Sequence, residues 1–231
     1  MPRWSARTLP AAVLFDLDGT LLDTAPDMVA TLNELCRLRS VPELPWETAR
    51  AQVSNGTLGL LRVAFPGQDP AQQPELQQQF GQLYATRLVS ATSLFPDMDP
   101  LLTRLEQQGI HWGVVTNKPR QFTEPLLAAL GLLERSSCTV SGDTLPERKP
   151  HPRPILHALE QLAVLPEHSI YVGDARRDIE SGRAAGTDAE DVWSDHHTFK
   201  AALKELESCG GTDNGFDLMK RLPDGTLTTE F

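Results

Sequence analysis

From about Pro100 to Gly186 the chain alternates helical stretches with short apolar runs, a rhythm that few folds accommodate. A helix from about Pro100 to Gln108 gives way to a strand from Ile110 to Val115. A helix from about Phe122 to Leu130, stopped by Gly131, precedes the strand Cys138-Thr139-Val140. A helix from Pro152 to Leu162 precedes the strand Ser169 to Val172, and a last helix runs from about Arg176 to Ala185 with Gly186 as its stop. Strands separated by helices join in parallel through crossovers, so the order predicts a parallel sheet with helices on both faces. One earlier run, Ala11 to Phe15, is continuously apolar and ends on Asp16, as a central strand covered on both sides does. The fold class is therefore α/β, with a Rossmann-like parallel-sheet core.

Between the first strand and residue 92 no convincing strand can be read. Thr24 is placed to cap a helix, with Asp27 three positions on completing a capping box and Pro26 in the first turn. Met28, Val29, Leu32, Leu35 and Cys36 then fall on one helical face. Further helical stretches follow around residues 46–53, 57–65 and 72–90, broken by Ser54-Asn55-Gly56 and Pro66-Gly67. The Gln-rich piece keeps Leu76, Phe80, Leu83 and Leu88 at near-helical spacing, which favours a solvated helix over a linker. The expected organisation is a core of residues 1–23 and 93–231 interrupted by an all-helical insert, a cap, of residues 24–92.

A length of 231 residues suits one such domain with its insert. The formal charge of −10 argues against a nucleic-acid or anionic-membrane partner and means that an anionic substrate needs local help from a metal or a Lys. The three cysteines, Cys36, Cys138 and Cys209, are scattered, so neither a disulfide framework nor a zinc knuckle is expected, and Cys36 and Cys138 read as core. No signal pattern and no membrane-length apolar run is visible, and a cytoplasmic location is expected. The oligomeric state is not readable from the sequence.

The chemistry gathers at strand ends. Asp16 and Asp18 sit two apart after the first strand and so share one side of it, at the edge where open α/β sheets bind ligands. Two close carboxylates repel unless a cation lies between them or one is protonated. Asp16 then suits a nucleophile and Asp18 a general acid and base, although Asp-Gly is also common at any strand-to-turn junction. Thr116-Asn117 ends the next strand, where a hydroxyl and backbone N–H groups could hold a phosphate oxygen, or simply start a helix. Lys149, in a polar proline-rich loop, offers an ammonium to neutralise a phosphoryl group and crowded carboxylates, or is a solvated loop residue. Asp174 ends a third strand and Asp178 follows one helical turn later, so both can face one corner of the sheet. Hard oxygens of this kind suit Mg²⁺; Asp178 also fits as a first-turn acid, or as a group orienting Lys149. Ser54, Asn55 and Gly56 could overhang the site and meet a substrate's leaving group, or form a plain interhelical turn.

With these segments in view, the chain resembles the haloacid dehalogenase-like hydrolase superfamily, and within it the phosphoglycolate phosphatases with a helical cap. Asp16-Leu17-Asp18-Gly19-Thr20 is similar to the first family motif, Thr116-Asn117 to the second, Lys149 to the third, and Asp174 with Asp178 to the fourth. The stretch Ser141 to Pro152 is similar to bacterial N-acetylmuramic acid 6-phosphate phosphatases. The resemblance implies a Mg²⁺-dependent phosphatase acting on a small phosphorylated metabolite, with N-acetylmuramic acid 6-phosphate and 2-phosphoglycolate as expected substrates. It implies that Asp16 attacks phosphorus, that Asp18 protonates the leaving oxygen and then activates water, and that Mg²⁺ is held by Asp16, the carbonyl of Asp18, and Asp174. A sugar phosphomutase or a catalytically silent binding protein on the same scaffold are the alternatives. After Gly186 the likeness fades: Thr187 to Trp193 is polar where the family continues with an apolar strand, and the tail from Cys209 has no counterpart.

Overall fold

The structure is a computed structural model that describes residues 9–67, 69, 71 and 73–191, together with the backbone of 220–221 and 227–228. Strand β1 (Ala12–Phe15) leads through a turn to β2 (Leu22–Asp23). Helices α1 (Ala25–Leu38), α2 (Trp46–Arg50), α3 (Gly56–Ala64) and α4 (Pro74–Ala85) follow, with a single 3₁₀ turn, Val53–Asn55, ahead of α3. The chain returns through β3 (Ser93–Leu94) to α5 (Met98–Gln107), β4 (His111–Val115), α6 (Arg120–Ala129), β5 (Cys138–Val140), α7 (Arg153–Leu162), β6 (Ser169–Gly173), α8 (Arg176–Ala185) and β7 (Asp188–Asp191). A short antiparallel pair, β8 (Lys220–Arg221) with β9 (Leu227–Thr228), lies beyond.

Five strands form one parallel sheet in the order β5-β4-β1-β6-β7. β1 is central, and its alternation assigns the two faces. Val13 and Phe15 join Leu102, Leu105, Trp112 and Leu126 on one side. Ala12 and Leu14 join Val140, Ile155, Leu159 and Tyr171 on the other. The helices between β2 and β3 build a separate cluster from Met28, Leu32, Leu35, Leu60, Leu61, Leu76, Phe80 and Tyr84. The expected apolar stripe of α1 is thus buried, and Cys36 and Cys138 are buried as expected. β2 and β3 pair antiparallel where the chain leaves and re-enters the core. At two residues each they are too short to show a periodicity, and neither is visible in the sequence.

Two expectations are corrected. Thr24 and Asp27 do not form a capping box: the Thr24 hydroxyl faces the Met28 sulfur at 3.7 Å, and Asp23 Oδ1 accepts from the Ala25 N–H at 3.3 Å. The buried Asp27 carboxylate instead accepts from the N–H of Ala91 (3.0 Å), the N–H of Thr92 (2.8 Å) and the Thr92 hydroxyl (2.7 Å). Donors on the returning chain have no ladder partner of their own, so they take the acid that a local cap would have used. The polar run after Gly186 does form a strand. β7 pairs in parallel with β6, Ile170 opposite Asp188 and Tyr171 opposite Ala189. As an edge strand it needs only main-chain bonds and a small side chain inward, and Ala189 fits against Gly182 of α8. Gly186 turns the chain into it with φ +84°. Val192, Trp193 and Cys209 lie outside the described residues.

Candidate active site

All four sequence segments reach the carboxyl edge of the sheet. Asp16 follows β1, its N–H donating to Val172 O (2.8 Å) and its Oδ1 accepting from the Leu17 N–H (2.8 Å). The loop then folds back tightly, with the N–H groups of Leu21 and Leu22 both on Leu17 O and Gly19 at φ +85°. A Cβ at Gly19 would collide with the Asp174 carboxylate and crowd the Ser54 hydroxyl, so glycine is what allows the first and fourth segments to meet. Lys149, its side chain wholly buried, lies between two carboxylates: Nζ is 2.8 Å from Asp16 Oδ1 and 2.7 Å from Asp178 Oδ1. It also donates to Tyr171 Oη at 2.7 Å, and that hydroxyl donates to Val115 O at 2.9 Å. Asp178 Oδ2 accepts the Ala175 N–H at 3.0 Å at the start of α8, while its Oδ1 faces the Lys149 ammonium.

Asp16, Asp174 and Asp178 each offer an oxygen, all within 4.8 Å of one another. Oxygens around an octahedral Mg²⁺ stand about 3–4 Å apart, so the three carboxylates surround a space of roughly the size of one hydrated cation. Three carboxylates around a single Lys149 leave surplus negative charge. Burial, and then Asp16, push the Asp174 carboxyl up to about 7. Burial and Asp16 likewise raise Asp178, with Lys149 opposing them. Asp174 Oδ1 is buried without a hydrogen-bond partner among the described residues. An orphaned, hard, partly protonated carboxylate oxygen beside two more carboxylates is the donor set a divalent cation fits. Asp18 lies outside this trio, its Oδ1 2.9 Å from Lys118 Nζ.

Thr116 is buried, and its hydroxyl accepts the Lys118 N–H at 3.2 Å. The Asn117 side chain is held by the Lys149 main chain rather than presented freely. From the helical insert, Ser54 donates to Asp174 Oδ2, while Arg177 donates to Ser54 O. Asn55 and Gly56 line the same cleft, of about 810 Å³, whose floor carries Asp16, Asp18, Thr116 and Asn117.

Sequence reasoning misses Lys118 and gives no role to Arg177. Lys118 is buried and donates to both Asp18 and Tyr84 Oη. Burial opposes its charge, yet Asp18 and Tyr84 outweigh burial and raise it further. Tyr84 is raised by its own burial, with Lys118 pulling the other way. The available signal is position: Lys118 follows Thr116-Asn117 directly after a buried strand. A loop lysine ordinarily reads as solvated.

Comparison with known proteins shows the family. The pattern of the haloacid dehalogenase-like hydrolases matches residues 13–192. A phosphoglycolate phosphatase of Xanthomonas campestris pv. campestris strain 8004 is 45% identical over 177 residues, 77% of this chain and 80% of that protein. The N-acetylmuramic acid 6-phosphate phosphatase of Pseudomonas aeruginosa is 40% identical over 177 residues, 76% of this chain and 78% of its own length. Among solved structures, a predicted phosphoglycolate phosphatase from Haemophilus somnus 129PT superposes with a TM-score of 0.71 at 29% identity, over 79% of this chain and 85% of that one. On its sequence pattern, its relatives and its fold, the chain belongs to the haloacid dehalogenase-like hydrolase family.

Proposed function

We propose that the chain is a Mg²⁺-dependent phosphatase that hydrolyses a small phosphomonoester through an aspartyl-phosphate on Asp16. The observation that carries this reading is Lys149 held between Asp16 and Asp178 with an Asp174 oxygen close by. Asp16 attacks phosphorus, with the lysine fixing one of its oxygens. The phosphorus–oxygen bond to the leaving group breaks, and that oxygen takes its proton from Asp18. Asp18, now ionised, accepts a proton from water as the water cleaves the acyl phosphate and restores Asp16. The Thr116 hydroxyl and the backbone N–H groups after β4 hold the phosphoryl oxygens, and Lys149 offsets their charge. Asp16 and Asp174, with the carbonyl of Asp18, would hold the cation, which supplies further charge neutralisation on the phosphoryl group. Asp178 serves Lys149.

The helical insert of residues 24–92 acts as the cap, closing on the core about the β2–β3 junction and excluding bulk water. Its cleft favours a sugar phosphate. About 810 Å³ is in the range that houses ligands well above a two-carbon acid in size. Beyond the catalytic floor the lining includes amide and aromatic groups, Gln78, Gln82 and Gln121 beside Tyr84 and Phe122, together with the guanidinium groups of Arg148 and Arg177 and apolar side chains. Neutral amides and ring faces suit hydroxyl and acetamido groups. N-acetylmuramic acid 6-phosphate is the leading substrate. The relatives called phosphoglycolate phosphatase make 2-phosphoglycolate the second.

Phosphate release from both esters tests the reading. Expected are turnover abolished by a chelator and restored by Mg²⁺, a kcat/KM at least tenfold higher for the sugar ester, and no turnover by Asp16→Asn. Turnover that survives in Asp16→Asn would overturn the nucleophile. A higher kcat/KM for 2-phosphoglycolate would reverse the substrate order.

A further inference from the structure

Asp18, the proton carrier of the proposed reaction, is not positioned by its own loop alone. Lys118 Nζ stands 2.9 Å from Asp18 Oδ1 and 3.0 Å from Tyr84 Oη, and 4.6 Å from the centre of the Tyr84 ring. The lysine comes from the core and its backbone is fixed on three sides. Its N–H goes to Thr116 Oγ1, and its carbonyl accepts from the Gly142 N–H (2.8 Å) and the Thr123 hydroxyl (3.1 Å). Tyr84 comes from α4 in the helical insert, its ring edge-on to Phe122 of the core at 5.4 Å. The ammonium therefore spans three parts of the molecule: the loop after β1, the loop after β4, and the insert. Asp18 keeps 15% of its side chain exposed toward the cleft, whereas Lys118 keeps 5%.

We propose that Lys118, aimed by Tyr84, is the positioning residue that holds the Asp18 carboxyl at the angle from which it passes a proton to the leaving oxygen and later takes one from water. Lys118 stays protonated throughout. In the first step the proton moves from Asp18 to the departing alkoxide oxygen; in the second it moves from water to Asp18, so the lysine gains and loses nothing. Because Tyr84 belongs to the insert, the lysine has both partners only when the insert lies against the core. Proton transfer is thereby tied to insert position. The inference rests on the phosphatase reading above.

A leaving-group comparison separates positioning of the acid from general support. An alkyl phosphate needs its leaving oxygen protonated; p-nitrophenyl phosphate, with an acidic phenol, needs little help. General acid catalysis contributes roughly 10²–10⁴-fold. In Lys118→Met, kcat on a sugar 6-phosphate should fall at least tenfold more than kcat on p-nitrophenyl phosphate. Lys118→Arg should recover part of that difference, and Tyr84→Phe should reproduce part of it with Lys118 intact. Equal losses on the two esters, or none, would overturn the role. If Lys118→Met fails to fold by circular dichroism, Tyr84→Phe and Lys118→Arg carry the same comparison and decide it in the same way. Wild-type protein that releases phosphate from neither ester would instead overturn the phosphatase reading itself.

Discussion

Asn117 and Lys149, 32 residues apart, grip each other by a reciprocal pair of hydrogen bonds: Asn117 Nδ2 donates to Lys149 O at 2.9 Å, and the Lys149 N–H donates to Asn117 Oδ1 at 3.0 Å. The amide thus satisfies the donor and acceptor of one residue in a loop that has no ladder partner. It joins the loop after β4 to the loop after β5, and so sets where the buried ammonium of Lys149 arrives between Asp16 and Asp178.

Removing this grip should act on turnover more than on binding. Asn117→Ala loses two hydrogen bonds, about 1 kcal/mol each. The larger effect is displacement of Lys149, where an error near 1 Å costs up to roughly 10²-fold. Steady-state kinetics should show kcat down at least tenfold with KM within threefold. Asn117→Asp, which keeps the acceptor and loses the donor, should fall between. A rise in KM with kcat unchanged would mean that the side chain binds substrate directly.

Lys149 is the counter-ion of a buried acidic pair, and its loss should unsettle the fold. Lys149→Met keeps the bulk and removes the charge, leaving Asp16 and Asp178 buried without their cation. Breaking one partner out of such a pair costs about 3–5 kcal/mol. Urea denaturation in chelator should show a loss of that order. Adding Asp178→Asn should return part of it, because one uncompensated charge is then gone. A single variant within 1 kcal/mol of wild type would contradict the charge account.

Much of this site is legible because open α/β sheets collect their chemistry at one edge. Once Ala11–Phe15, Ile110–Val115 and Ser169–Val172 are read as strands of one parallel sheet, Asp16, Thr116 and Asp174 reach the same edge, and the order β4-β1-β6 makes them neighbours. What stays hidden depends on partners distant in sequence. Asp27 looks like half of a local capping box, yet its oxygens are claimed by Ala91 and Thr92, 64 and 65 residues on. Lys118 looks like a loop cation until Tyr84 arrives from α4. Asn117 suits a substrate contact by its place after a strand, but its side chain answers to Lys149. The polar β7 lacks the inward apolar residues of a buried strand, and an edge position with Gly182 beneath Ala189 removes the need for them.

Asp27 makes the re-entry of the chain a point of stability. Asp27→Ala leaves the N–H groups of Ala91 and Thr92 and the Thr92 hydroxyl without their acceptor. Unpaired buried donors cost about 1–3 kcal/mol each, moderated where water reaches them. The expected loss is about 2–4 kcal/mol by denaturation. Amide exchange at Ala91 and Thr92 should accelerate well beyond that of β1. Unchanged protection at both amides would show that the β2–β3 pair, rather than the carboxylate, anchors the return.

Removing the cation should expose the cluster's own charge, with a definite pH sign. In the metal-free protein the Asp174 carboxyl is pushed up to about 7, first by burial and then by Asp16. The unfolded chain holds that proton only below about 3.9. The folded state therefore binds it more tightly, and the stability it contributes is full below roughly pH 4 and lost as pH rises through about 7. Mg²⁺ needs the ionised carboxylate and competes with the same proton, so its hold weakens in acid by up to about tenfold per pH unit. Thermal denaturation with chelator and with Mg²⁺ should accordingly show a small difference in Tm near about pH 5.5 and a larger one near about pH 8. Asp174→Asn, which carries no titrating proton, should abolish most of the Mg²⁺-induced rise and flatten its dependence on pH. An equal Tm difference at both pH values in the wild type would show that proton and cation do not share Asp174.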